Sequence, residues 1–280
     1  MIHWVLRVEE LAITVSALDD PSNDLVQNGL ADLRLVQASG PQGVELQLSG
    51  LEDGNWVLKD GELSLERRIA RTGDVLYHLS DRIIFHLADK VQKKHCLHAA
   101  AVTIGESAIV IPAKSGAGKS SLTAWLVANH CPYITDELIM VDNAHFIQGI
   151  ARPIQIKSNG LDAVRPLLVE GAPIQYGSLA NAITAHTLGG RVAVNEPISI
   201  GLFLFPQYDK SAQFEFQRLS SAEAGMSLMS NHVNARNLPN HGFKTMMQLV
   251  RQTPCYSLRY GGFSCLPAHF VQQLEQMVAR

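Results

Sequence analysis

The chain has 280 residues, a formal net charge of −3 and an apolar share of 46%, enough for one large domain or two ordinary ones with a real core and too apolar for a disordered segment. No Lys/Arg run exceeds the pair Lys93-Lys94, which excludes the electrostatic footprint of a DNA or RNA binder. Met1 to Glu10 lacks the basic start and apolar run of a signal peptide, and no window reaches bilayer-spanning length. The expectation is a cytoplasmic protein with no nucleic-acid or membrane partner. Cys96, Cys131, Cys255 and Cys265 stand apart, without a C-x-x-C pair, and read as reduced, partly buried thiols.

In chain order, Trp4–Val8, Leu33–Gln37, Val44–Leu48 and Trp56–Leu58 are short extended runs divided by Gly, Pro, Asn and Asp turn signals. Residues 73–94 then carry apolar side chains at helical spacing, from Val75 and Leu76 to Leu87 and Val91. Residues 1–94 are expected to form a β-rich N-terminal region ending in a helix. An exposed sheet edge there would suit an extended peptide added as a further strand.

From Leu97 the pattern becomes that of an α/β fold. A strand at Ala99–Thr103, a turn at Gly105 and a strand at Ser107–Pro112 lead into a Gly-rich loop, a helix at Ser120–Asn129 and a strand at Tyr133–Val141. Extended runs follow at Ile154–Ile156 and Ile198–Phe205, then helical patterns at residues 220–230, 242–251 and 267–278. Residues 95–280 form the expected catalytic unit.

The loop reads Ala113-Lys-Ser-Gly-Ala-Gly-Lys-Ser120. It approximates G-x-x-x-x-G-K-[ST], in which glycines let backbone N–H groups turn onto phosphate oxygens, the lysine reaches the outer phosphates and the hydroxyl holds Mg²⁺. Ala113 replaces the first glycine. Ser115, Gly116, Ala117, Gly118, Lys119, Ser120 and Ser121 are the candidate nucleotide-binding residues, at the positive end of the following helix. Phosphoryl transfer also needs a carboxylate for the metal or the acceptor's proton. Asp136-Glu137 and Asp142 are the candidates, and the sequence leaves the choice open.

Together, Leu97-His98-Ala-Ala-Ala-Val102, the Gly-Lys-Ser120 loop and Tyr133-Ile-Thr-Asp-Glu-Leu138 resemble the HPr kinase/phosphorylase superfamily. Ala151-Arg-Pro-Ile-Gln-Ile-Lys157, Gly201-Leu-Phe-Leu-Phe-Pro206, Asn234 and Gly242-Phe243 resemble its HprK-related kinase branch. The resemblance runs from Leu97 to the C-terminus and is strongest at the loop and the acidic pair.

It implies a P-loop core of the HPr kinase/phosphoenolpyruvate carboxykinase type, using ATP and Mg²⁺ to phosphorylate a serine or other hydroxyl. On it, Lys119, Asp136, Glu137 and His98 are catalytic: Asp136 accepts the hydroxyl proton, Glu137 assists or joins Ser120 at the metal, and His98 sits beside the transferred phosphate. Arg152 and Lys157 neutralise phosphate or anchor an acidic substrate, the competing reading being solvated surface charge. His186 and Glu196 are weaker candidates. The phosphorylase signature is unrecognisable between Asn159 and Glu196, so the reverse reaction is not expected. The acceptor is a peptide or protein, including a ribosomal peptide precursor, or a small hydroxyl molecule; the alternative function is a nucleotide-binding regulator that transfers nothing.

Overall fold

Alternation of apolar and polar residues builds the first sheet: in Val44–Gly50, Val44, Leu46 and Leu48 are buried and the residues between them are not, the period of a strand covered on one face. The computed structural model describes residues 1–193 and 198–278. The first region runs β1 (Ile2–Val8), β2 (Leu11–Ala17), α1 (Asp20–Gly29), β3 (Val36–Ala38), β4 (Val44–Gly50), β5 (Trp56–Asp60), β6 (Leu65–Ile69) and α2 (Thr72–Lys90). Its six strands lie in the order β3-β1-β2-β4-β5-β6. The pair β2–β4 is parallel, and the crossover joining them contains α1.

Sequence patterning misses α1, β2 and β6 and misplaces β3. Only Leu25 and Val26 supply large buried side chains on α1, too few to reveal a helical period. Its start is nonetheless written locally, since the Asp19 carboxylate accepts from Ser22 N–H at 2.8 Å and Ser22 Oγ accepts from Asp19 N–H at 3.2 Å, a reciprocal cap. Residues Ala31–Leu33 form a 3₁₀ turn instead of opening an extended run. Helix α2 stops at Lys90, short of the expected Lys94, because Val91 turns extended at φ −69°, ψ 125°.

The rest of the chain comprises β7 (His95–Ile104), β8 (Ser107–Pro112), α3 (Lys119–Ala128), β9 (Tyr133–Thr135), β10 (Leu138–Val141), β11 (Phe146–Gly149), β12 (Ile154–Ile156), α4 (Ser158–Val164), β13 (Asn181–Ile183), β14 (Ile198–Tyr208), β15 (Glu215–Arg218), α5 (Ser221–Met229), α6 (Phe243–Gln252), β16 (Cys255–Tyr260) and α7 (Phe270–Val278). This is a mixed α/β architecture. An eight-stranded sheet has the path β11-β10-β7-β8-β14-β16-β15, with β9 also on β7. Strands β8, β14 and β16 are mutually parallel. The strand expected over Tyr133–Val141 divides at Asp136-Glu137 into β9 and β10, both antiparallel to β7.

The two sheets share a core. Leu138 and Met140 of β10 and Cys96 of β7 pack in one cluster with Val15, Leu46 and Leu58 of the first sheet and Leu76 and Leu79 of α2. The residues after 94 also build two buried clusters of their own. Cys96, Cys131 and Cys255 are buried free thiols and Cys265 is exposed. Among the described residues, no helix is long and apolar enough to cross a membrane.

At the start of α2, a Cβ on Gly73 would come within 2.4 Å of the Gln175 carbonyl oxygen and 2.6 Å of Gly177 N. Both are backbone atoms that cannot swing aside. Gly73→Ala is expected to cost about 1–3 kcal/mol in urea unfolding, whereas Gly61→Ala, with nothing within 4 Å of its added carbon, leaves the midpoint essentially unchanged.

Candidate active site

The Gly-rich loop leaves β8 at Pro112 and enters α3 at Lys119. Positive φ occurs at Gly116 (+88°) and Gly118 (+89°) and not at Ala113. The loop's left-handed turns thus fall on glycines, and an alanine fits the first position without strain. Residues Lys114, Ser115 and Gly116 are exposed, Ala117, Gly118, Ser120 and Ser121 half-buried, and Lys119 buried at 7% exposure.

Lys119 is buried because the acidic pair lies beneath it. Its ammonium donates to the Asp136 carbonyl and stands 3.4 Å from Asp136 Oδ1 and 3.8 Å from Glu137 Oε2. Topology creates this meeting, since β7 pairs with β8, whose end carries the loop, and also with β9 and β10, whose interruption carries the acids. The Ala99 N–H donates to the Glu137 carbonyl at 3.1 Å, which ties the interruption to β7.

Glu137 is the hub. Its Oε2 accepts from Arg152 Nη2 at 2.6 Å, and its Oε1 lies 3.1 Å from His98 Nε2. Burial works against its charge, but Arg152, a hydrogen bond with His98 and Lys119 together hold the carboxyl well below its ordinary value of 4.5. Asp136 differs: it is 0% exposed, with its carboxylate against Lys119 and 3.5 Å from Gln155 N–H. Glu137, at 29% side-chain exposure, is the more open of the two carboxylates. Asp136 thus lies buried beneath Lys119.

Arg152, at 5% exposure, is no surface charge. Its carbonyl accepts from the buried Tyr133 hydroxyl at 2.7 Å. Lys157 is exposed, and its ammonium donates to Ser115 Oγ on the loop at 2.9 Å. These cations flank β12 and close on the site from one side, one at the acids and one at the loop.

Asp142 does not join them. Its Oδ1 accepts from Ala144 N–H at 2.9 Å and Phe146 N–H at 3.0 Å, making it the turn residue between β10 and β11. His186 is exposed on a 3₁₀ turn beside Asp32, and Glu196 lies outside the described residues. Sequence reasoning missed Tyr133, Thr135 and Gln155. Thr135 donates to the Ile150 carbonyl at 2.6 Å, so both polar residues that alternate with Ile134 before the acids secure the segment carrying Arg152. That alternation was a readable signal; Gln155 had none.

No protein-family model matches this chain, and no curated protein matches it.

Replacing Glu137 by Gln strands Arg152 and Lys119 beside a neutral amide and is expected to cost about 1.5–3 kcal/mol at neutral pH. The folded-state depression of the Glu137 pKa means that the stabilisation is fully present above the unfolded value and lost as pH falls. The gap in stability between wild type and Glu137→Gln should therefore stay constant above about pH 5 and shrink as acid is added below it. A gap independent of pH would contradict the ionic role.

Proposed function

We propose that the chain is an ATP-dependent phosphotransferase of the HPr kinase type, which moves the γ-phosphate to a serine or other hydroxyl. One observation carries the reading: Lys119, Asp136, Glu137, His98 and Arg152, from separate stretches of sequence, form one ionic and hydrogen-bonded network at the foot of a Gly-rich loop, whose Ser115 also accepts from Lys157. Structural ion pairs rarely need such a loop. A phosphate site does.

In this reading the loop amides from Gly116 to Ser121 and the Lys119 ammonium hold the outer phosphates, and the N-terminal end of α3 adds its dipole. Lys157 and Arg152 neutralise charge as it shifts toward the leaving oxygen. Magnesium on a nucleotide takes one or two protein groups and completes its shell with phosphate oxygens and water. Ser120 and the ionised, part-exposed Glu137 are the donors of that character here. The metal supplies charge neutralisation across the phosphates.

Glu137 also faces the place where an acceptor hydroxyl would approach, and His98 orients it. Phosphoryl transfer has a loose transition state and demands positioning more than strong basicity, which suits a carboxylate held ionised. Asp136 keeps the lysine in place from beneath.

The deciding assay combines γ-labelled ATP, the protein and lysate from its own source, with mass spectrometry of the labelled species. Wild type is expected to label an acceptor, Lys119→Ala to label none, and Glu137→Gln to fall by about 100-fold or more. Tight ATP binding with no labelled acceptor would favour a nucleotide-binding regulator instead.

A further inference from the structure

On the flank of the loop away from Glu137, strands β14 and β16 end side by side with Tyr208 opposite Tyr260. Strand β14 runs parallel to β8 and continues past its end, so Tyr208 lies alongside the loop and its N–H donates to the Ala117 carbonyl at 3.0 Å. Tyr260 is 1% exposed, and its hydroxyl donates to the Gly118 carbonyl at 3.3 Å. Its ring stacks on Phe263 at 6.3 Å between centroids, and Phe263 stacks on Trp125 of α3 at 6.1 Å. Tyr208 meets Tyr260 edge to face at 5.8 Å, yet remains 45% exposed. A Cβ on Gly118 would lie 2.6 Å from Tyr260 Oη and 2.9 Å from Tyr208 Cβ. The loop and the two tyrosines are thus as close as a residue without a side chain permits.

The phosphate chemistry proposed above uses neither ring. We propose that Tyr208 is the platform on which the base of the bound nucleotide stacks, with Tyr260 as its rigid backing. The inference rests on the reading of the loop as a nucleoside-triphosphate site.

Three considerations assign the base to this flank. A triphosphate laid along the loop leaves its nucleoside on one side or the other, and the Glu137 side is filled with charge from Glu137, Arg152 and Lys119, a poor seat for a neutral π face. Ligands of α/β sheets sit beyond the carboxyl ends of parallel strands, and Tyr208 and Tyr260 are those ends. The ring is also held in place before binding, by a backbone hydrogen bond to the loop and by the aromatic column behind it, so little ordering is lost when a base lands on it. Stacking accepts any base because every base has a π face; the ligand class is a nucleoside triphosphate, with no base edge read by the platform itself.

The test compares Mg·ATP with Mg·tripolyphosphate, which keeps the phosphates and lacks the nucleoside, by titration calorimetry. Wild type is expected to bind ATP more tightly than tripolyphosphate. Tyr208→Ala should weaken ATP by about 10- to 100-fold and leave tripolyphosphate unchanged, while Tyr208→Phe, which keeps the ring, binds ATP as wild type does. If Tyr208→Ala binds ATP undiminished, the platform is wrong although the phosphate site stands. If it weakens both ligands equally, Tyr208 braces the loop and holds no base. If wild type binds neither ligand, the phosphate reading fails and this inference falls with it.

Discussion

A lysine at 7% exposure, set against a carboxylate at 0%, is the constraint around which the second half of this molecule is arranged. Taking an ammonium out of water costs several kcal/mol, and only close, well-oriented partners offset it. Lys119 finds them in the Asp136 carbonyl and carboxylate, with Glu137 slightly farther away. Strand β7 makes the meeting possible by pairing with the strand before the loop and with both strands around the acidic break. A continuous strand from Tyr133 to Val141 would keep the acids within the ladder; the interruption lets them turn toward the loop. Glu137 then recruits Arg152 and His98, and the ion pair becomes a network.

The N-terminal sheet contributes at a distance. Asp74, in the first turn of α2, accepts from Ser178 N–H at 2.8 Å and from Leu179 N–H at 2.9 Å, and Gly73 N–H donates to the Tyr176 carbonyl at 3.1 Å. This clamp fixes the segment that leads into β13, and β13 is the only strand paired with β12 among the described residues. Arg152 and Lys157 flank β12. The placement of two site cations thus depends on a helix that belongs to the first region, in keeping with the core that the two sheets share.

Much of this was legible in the sequence. The loop, its strand and helix, and α2 follow from glycine placement and apolar period, and they recur in the structure with small shifts at their ends. The convergence of Lys119, Asp136 and Glu137 follows from two strands sharing β7, which local pattern alone does not reveal. Burial was less legible: Asp136 and Glu137 are adjacent and chemically alike, yet one lies beneath Lys119 and the other opens outward, a difference set by β9 and β10 on either side. Helix α1 escaped because its length carries few large apolar residues. Tyr208 and Tyr260, 52 positions apart by their numbering, meet only through the register of parallel strands, which no short window records.

The most direct measurement is a crystal structure of the protein with Mg²⁺ and a non-hydrolysable ATP analogue. The expected result is that the β- and γ-phosphates lie within the turn from Ser115 to Ser121, with Lys119 Nζ at about 3 Å from a phosphate oxygen while Asp136 supports it from beneath. Phosphates bound elsewhere, with no phosphate oxygen in reach of Lys119, would contradict that placement.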